Sequence, residues 1–253
     1  MNIKIFKMNC ITNLHTGSGE ANFNIIDNEV EKDPVTNYPV IHSSGIKGAL
    51  KDAAKGANYI DRVFGKPESK DDKGSGGLYN FMSAHLLARP LRVNGDSRRA
   101  YIAVTTLQAI NDFIEFAVNF GINIGRQDKI DIAFGSSSFL STVVGIKIEG
   151  KPVGTFAAGD AAAVDFIKGL IGDFALCKDF DDYPLPVNPR NSLDENGISK
   201  NLWYEEFVPH HSVFWMPVRY PDETFALNFL TDEVVQLGGN ASIGNGFVKF
   251  EEI

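Results

Sequence analysis

Cysteine is scarce in this chain, basic charge is outweighed, and no long apolar run occurs. Cys10 and Cys177 are the only two cysteines, too few for a disulfide framework or a cysteine-based zinc site. Nothing approaches the roughly 18 consecutive apolar residues of a membrane-spanning helix. The opening "MNIKIFKMNCITNL" alternates polar and apolar residues as a strand does and lacks the apolar stretch of a signal peptide. These absences predict a cytoplasmic protein without membrane contact. Lysine and arginine number 24 against 32 aspartates and glutamates, a formal net charge of -8. Generic nucleic-acid binders carry a basic excess, so a nucleic acid bound here needs a locally basic track on an acidic body.

Catalytic signatures are equally sparse. There is no HExxH, no GxSxG and no Cys/His nucleophile pairing. The five histidines form no metal motif. His210 and His211, read on a strand, face opposite sides. His15 reads as a turn residue and His85 as a satisfied, partly buried one. Conventional hydrolase chemistry has little support.

What is present is a mixture of strands and a few helices without regular βαβ repetition, which predicts an α+β fold. In "HSSGIKGALKDA", Ile46, Ala49, Leu50 and Ala53 form the apolar stripe of a helix with Ser43 or Ser44 as N-cap. Lys47, Lys51 and Lys55 repeat on its flank. "TTLQAINDFIEFAVNFG" predicts a second helix with Leu107, Ile110, Phe113, Ile114 and Ala117 inward, closed by Gly121. A third is predicted from Asp160 to about Phe174. "GKPESKDDKGSGG", residues 65–77, reads as a mobile polar loop, and the segment from 178 to about 205 as a hairpin arm with "DENG" at its tip. No linker divides the chain, so one domain over 1–253 with insertions is expected.

Two stretches could carry chemistry. In "NFNIIDNEVEKDPVTNYPVI" an apolar pair, Ile25-Ile26, reads as buried and runs into Asp27, Glu29, Glu31 and Asp33. On an extended chain these four carboxylates share one side and repel, so the segment should leave the sheet as a loop or splayed hairpin. "LGGNASIGNG" places Gly238, Gly239, Gly244 and Gly246 ahead of a strand. Its backbone N–H groups could cradle phosphates or simply form a turn. It is neither a Walker A nor a dinucleotide fingerprint.

Taken in order, "LHTGSGE", "IIDNEVEKD", "YPVIHSSGIKGALK", "FGKPESKDDKGSGGLYNFMSAHLLARPLRV", "KNLWYEEFVP" and "VQLGGNASIGNGFVKF" resemble the RAMP superfamily of CRISPR effector proteins. More narrowly, the chain is similar to the repeated backbone subunit of type III-B (Cmr) complexes. The resemblance implies a ferredoxin-like, RRM-related core with inserted loops and a β-hairpin thumb. It implies copies stacked head to tail along a guide crRNA, beside other type III effector subunits, with the thumb kinking the guide–target duplex. It also implies a divalent-metal-dependent cut, with Mg²⁺ or a similar ion, in the target RNA at each kink. The family's cleaving aspartate matches Asp27, which is also the candidate metal ligand. His15 and Glu205 match supporting positions. Guide binding would fall to Ser43, Ser44, Lys47 and Lys51 and to the backbone of Gly238, Gly239, Asn240, Gly244 and Gly246. One departure is Ser83, where the family carries an acidic residue. A non-cleaving scaffold, the type III-A (Csm) equivalent and a stand-alone guide-processing nuclease using His15 are the alternatives.

Overall fold

The computed structural model describes residues 2–17, 25–68, 73–95, 98–221, 230–231 and 234–253. The elements in chain order begin with β1 (Asn2–Cys10), β2 (Val40–Ile41), α1 (Ser43–Ala53), α2 (Ile60–Phe64), β3 (Gly65–Lys66), β4 (Ser75–Gly76) and β5 (Asn80–Phe81). There follow β6 (Ala84–Asn94), β7 (Tyr101–Thr106), α3 (Leu107–Asn119), β8 (Phe139–Ser141), β9 (Lys147–Ile148), β10 (Lys151–Pro152), α4 (Ala161–Ile171) and β11 (Phe174–Cys177). The chain ends with β12 (Val187–Leu193), β13 (Ser199–Glu206), β14 (Val213–Tyr220), β15 (Val234–Gln236) and β16 (Phe247–Glu252).

The long sheet runs β15-β16-β1-β14-β6-β7-β11-β8. Its four central strands, β16, β1, β14 and β6, are antiparallel to their neighbours. β1 and β6 are therefore parallel to each other, α1 lies on the connection between them, and β14 fills the gap. In chain order that is 4-1-3-2, the strand order of a ferredoxin-like core. β7, β11 and β8 extend it, β11 parallel to β7.

Period-two alternation sends side chains to two cores. Phe6, Met8 and Cys10 pack with Ile46 and Leu50 of α1. Ile5 and Trp215 join Ile110, Phe113, Ile114 and Ile167 on the opposite face. Burying each such large side chain contributes about 1.5–3 kcal/mol. α3 forms as its periodicity predicts, and the Thr106 hydroxyl caps it by accepting the Ala109 N–H at 3.0 Å.

Elsewhere packing overrides the local reading. α1 has His42, not a serine, at its N-cap. The Ser83 hydroxyl instead accepts the Ser43 N–H from across the fold, at 3.3 Å. Ala53 is exposed and Ala54 is the residue that turns inward. α4 stops at Ile171 because Gly172 takes φ +77, and the fully buried Phe174 opens β11 instead. His210 and His211 occupy a turn before β14, with ring centroids 4.5 Å apart. The flanks of the predicted loop 65–77 pair as β3 and β4, while 69–72 lie outside the described residues. Ile25 is 90% exposed rather than buried.

β12 and β13 form a separate two-stranded hairpin, in register from Val187↔Glu206 to Ser192↔Asn201, with a one-residue shift before Leu193↔Ser199. Its tip is an aspartate turn. Asp194 Oδ1 accepts the N–H groups of Asn196 and Ile198, both at 2.9 Å. Among the described residues no helix is long and apolar enough to cross a membrane.

Candidate RNA-cleaving and RNA-binding site

Three segments meet at the root of this hairpin: the chain leaving β1, the acidic segment from residue 25, and the glycine-rich loop between β15 and β16. The acidic segment forms no regular strand. Its isolated bridges are Asn28 to Glu205, Val30 to Gly17 and Lys32 to Pro39. Like-charge repulsion is relieved by giving the carboxylates different partners. Asp27 Oδ2 accepts the Tyr204 N–H at 2.8 Å, while the Asp27 and Asn28 N–H groups both donate to the Tyr204 carbonyl at 3.1 Å. Glu31 pairs with His42 at 3.1 Å. Asp33 caps its own turn, Oδ1 accepting from the N–H groups of Val35 and Thr36, and these bonds hold its carboxyl below the usual range despite some burial. Asp27 itself is exposed, and its second oxygen has no hydrogen-bond donor among the described residues.

Glu205 is the knot of the site. Oε1 accepts from Trp203 Nε1 at 2.8 Å and Asn28 Nδ2 at 3.3 Å; Oε2 accepts from Asn240 Nδ2 at 2.9 Å and lies 3.6 Å from Arg190 Nη1. Burial pushes its carboxyl up, but the Trp203 and Asn240 hydrogen bonds, with the charges of Arg190 and His15, pull it below the ordinary value. Its neighbour Glu206 is buried, accepts the Val30 N–H at 3.0 Å and pairs with Lys32 at 3.1 Å. The Glu206 carbonyl lies 2.7 Å from His15 Nδ1. A carbonyl can only accept, so Nδ1 carries a proton, and the neutral tautomer with that proton presents Nε2 as an acceptor.

The glycine-rich loop is clamped onto the same place. Gly239 N–H donates to the His15 carbonyl and Gly246 N–H to the Asn13 carbonyl, each at 2.8 Å. Both approaches exclude side chains: a Cβ on Gly238 would stand 2.3 Å from the His15 oxygen, and one on Gly246 1.9 Å from the Leu237 oxygen. Asn240 takes φ +60 at the loop's crest, which aims its amide at Glu205. On α1, the Ser44 and Gly45 end is exposed. Lys47 has no partner among the described residues, whereas Lys51 Nζ donates to the Gly65 carbonyl at 2.7 Å.

The structure thus brings His15, Asp27, Glu205, Gly238, Gly239 and Asn240 together. The Ser43–Lys51 helix is tied in through His42 and Glu31. Sequence reading missed Glu206, Trp203 and Arg190; the only available signal was the pairing of two glutamates behind an aromatic in "LWYEEF". Among the described residues no group of three or more His, Cys, Asp or Glu is placed to hold a metal ion.

The RAMP superfamily model matches residues 7–249. The chain belongs to the RAMP superfamily. Among curated proteins it is 26% identical, over 94% of its length and 92% of the relative's, to the CRISPR system Cmr endoribonuclease Cmr4 of Pyrococcus furiosus. Its fold matches a chain of the type III-B Cmr-beta complex bound to cognate target RNA, with TM-score 0.78 at 20% identity, covering 100% of this chain and 97% of that one. It also matches oligomeric Cmr4 from Pyrococcus furiosus, with TM-score 0.69 at 18% identity, covering 100% and 98%.

Proposed function

We propose that this protein is a guide-crRNA-binding backbone subunit of a type III-B CRISPR effector complex and an endoribonuclease that cuts complementary target RNA at regular intervals. The observation that carries the reading is the exposed Asp27 carboxylate, clasped by the Tyr204 N–H at the root of a projecting hairpin, in a chain related along nearly all its length to a Cmr endoribonuclease. The complex works in the cytoplasm, as a filament of copies with other type III subunits along one guide.

Each residue has a task. The β12–β13 hairpin acts as the thumb that kinks the guide–target duplex, and the kink turns a 2′-hydroxyl in line with its phosphate. The Asp27 clasp fixes one oxygen and leaves the other for the reacting strand. His15, its Nδ1 proton committed to Glu206, offers Nε2 as proton acceptor for that hydroxyl. Glu205, saturated by four partners, positions rather than transfers protons. It locks the acidic segment, the hairpin and Asn240 together.

A divalent ion fits this arrangement with Asp27 as its one protein ligand. Mg²⁺ keeps several waters and commonly binds through one or two carboxylates plus substrate phosphates. Bound there, it supplies charge neutralisation at the phosphate. Guide RNA lies along the α1 N-terminus at Ser43 and Ser44, Lys47, Lys51 and the backbone of Gly238–Gly246. A-form RNA is held there by phosphate and 2′-hydroxyl contacts, so one basic channel suffices on an acidic body.

The test is a reconstituted complex with guide, end-labelled complementary RNA and Mg²⁺, comparing the parent chain with Asp27→Asn. Asparagine keeps the acceptor for the Tyr204 N–H and removes the charge. The expected result is a regular product ladder that falls about 10²–10⁴-fold in rate while target binding persists. A ladder undiminished in the variant would remove Asp27 from the reaction; no ladder in either sample would leave a passive scaffold.

A further inference from the structure

The root of the hairpin carries a cation that is only loosely paired. Arg190 stands on β12 directly across from Trp203 of β13. Its Nη1 lies 3.6 Å from Glu205 Oε2, beyond hydrogen-bond range. That oxygen already accepts the Asn240 amide at 2.9 Å, and Oε1 is taken by Trp203 and Asn28. A guanidinium has five N–H donors, and none of those of Arg190 makes a hydrogen bond among the described residues. Its side chain is 29% exposed, so a ligand arriving at the root can reach it. Lys32 and Lys51, by contrast, are committed, to Glu206 at 3.1 Å and to the Gly65 carbonyl at 2.7 Å.

The second observation is where Arg190 lies with respect to Asp27. The acidic segment takes one edge of β13, through the Asn28–Glu205 bridge and the Asp27–Tyr204 clasp. β12 takes the other edge. Asp27 and Arg190 therefore approach the same stretch of β13 from opposite sides, their backbones two strand spacings or roughly 10 Å apart. His15 reaches this stretch too, with Nδ1 2.7 Å from the Glu206 carbonyl. Neither Asp27 nor a neutral His15 offers positive charge, and the cut needs some. The 2′-hydroxyl gives its proton to His15 Nε2 while its oxygen bonds to phosphorus, turning a singly charged phosphodiester into a doubly charged phosphorane. The P–O5′ bond then breaks with its electron pair leaving on O5′, which takes a proton from solvent as His15 returns its own. A 2′,3′-cyclic phosphate remains. A cation that meets the added charge acts more on the transition state than on the ground state.

We infer that Arg190 is a catalytic residue of the target cut, an assignment that rests on the nuclease reading above. Its guanidinium holds the non-bridging oxygens of the scissile phosphate from the edge of β13 opposite Asp27. The planar fork gives paired N–H donors to two phosphate oxygens, which a lysine ammonium does not. The 3.6 Å pairing with Glu205 aims the group without consuming its donors. With the guide lying along α1 and the glycine-rich loop, the hairpin's arginine is left to the target strand.

The experiment is single-turnover cleavage by the reconstituted complex, with guide, Mg²⁺ and saturating end-labelled target, comparing the parent with Arg190→Gln, Arg190→Lys and Arg190→Ala. Arg190→Gln is expected to slow every cut by about 10²–10³-fold. The ladder spacing and urea midpoint should stay as they are, and so should the target Kd, because base pairing with the guide carries target affinity. Arg190→Lys should recover only part of the loss. Guanidinium chloride, well below denaturing concentrations, should raise the Arg190→Ala rate saturably, whereas equal concentrations of urea or sodium chloride should not. An undiminished Arg190→Gln rate overturns the assignment. So does a loss carried by weaker target or guide binding, by altered spacing or by a lowered urea midpoint, any of which makes Arg190 a grip or a brace. An Arg190→Ala rate unmoved by guanidinium overturns it as well. A parent that makes no ladder fails the nuclease reading and this assignment with it, whereas a parent ladder that Arg190→Gln leaves intact fails this assignment alone.

Discussion

The root and the outer arm of the β12–β13 hairpin are built from one continuous ladder, yet they obey different rules. At the root, Trp203, Glu205 and Glu206 are half-buried or buried, and the two carboxylates hold three segments together: the acidic segment, the hairpin and the glycine-rich loop. Along the arm, Leu193, Ile198 and Leu202 are 59%, 64% and 53% exposed. Cross-strand pairing puts Pro189 with Tyr204 and Asn191 with Leu202 on one face, leaving an apolar strip in water, while Arg190 and Trp203 share the other. The root is a joint made rigid by charge-assisted hydrogen bonds. The arm gains little within the chain from its apolar residues, so it is shaped for contact with something outside it.

Separating joint from arm should have the largest effect. Replacing residues 191–200 with a short turn, which keeps Arg190 beside Glu205, is expected to leave the melting temperature nearly unchanged while abolishing regular spacing of the target cuts. Preserved spacing on a sequencing gel would assign the kinking element elsewhere. Next, Glu206→Ala strands the Val30 N–H and Lys32 beside a cavity. It should destabilise by about 2–4 kcal/mol, read as a lowered urea midpoint. The arm substitution Leu202→Ser should stay within about 0.5 kcal/mol. Similar losses for both would erase the distinction.

A smaller effect comes from acid. Glu205 has a folded pKa below its ordinary 4.5, so it contributes stability that is complete above that value and lost as pH falls through the depressed folded value. The stability gap between parent and Glu205→Gln should therefore narrow as pH drops below 4.5. A gap constant through that window would mean the carboxylate's charge is not what ties the joint. Smallest is the guide track. Lys47→Ala should reduce the salt slope of guide binding by about 1 for every guide sequence. Lys51→Ala, whose ammonium already serves the Gly65 carbonyl, should change it less. Equal losses would show that Lys51 releases that carbonyl for RNA.

Much was readable before folding was considered. α3 followed from the period of Leu107 to Ala117, because a 3.6-residue repeat of large apolar groups has one stable way to be buried. The hairpin followed from "DENG" between alternating segments, and Asp27 stood out through its place among the matched motifs. Other readings failed for local reasons. Ile25-Ile26 looked buried because apolar pairs usually are, but the Asp27–Tyr204 clasp holds the segment at the surface. Ser43 looked like a cap until Ser83, forty residues away, proved to satisfy the helix end. The acidic run looked like one repulsive face. Its members are instead parcelled out to Tyr204, His42 and the Asp33 turn.

By itself, the sequence determined what depends on neighbours in the chain: the period of each helix, the turn at Asp194, and the positive-φ positions of the glycine-rich loop. Those rest on sterics and on hydrogen bonds only a few residues long. Tertiary structure alone decided the 4-1-3-2 order, the burial of Glu206 and the hydrogen bond that orients His15. Each of these depends on which distant group arrives within 3 Å or so, and no local pattern encodes that arrival.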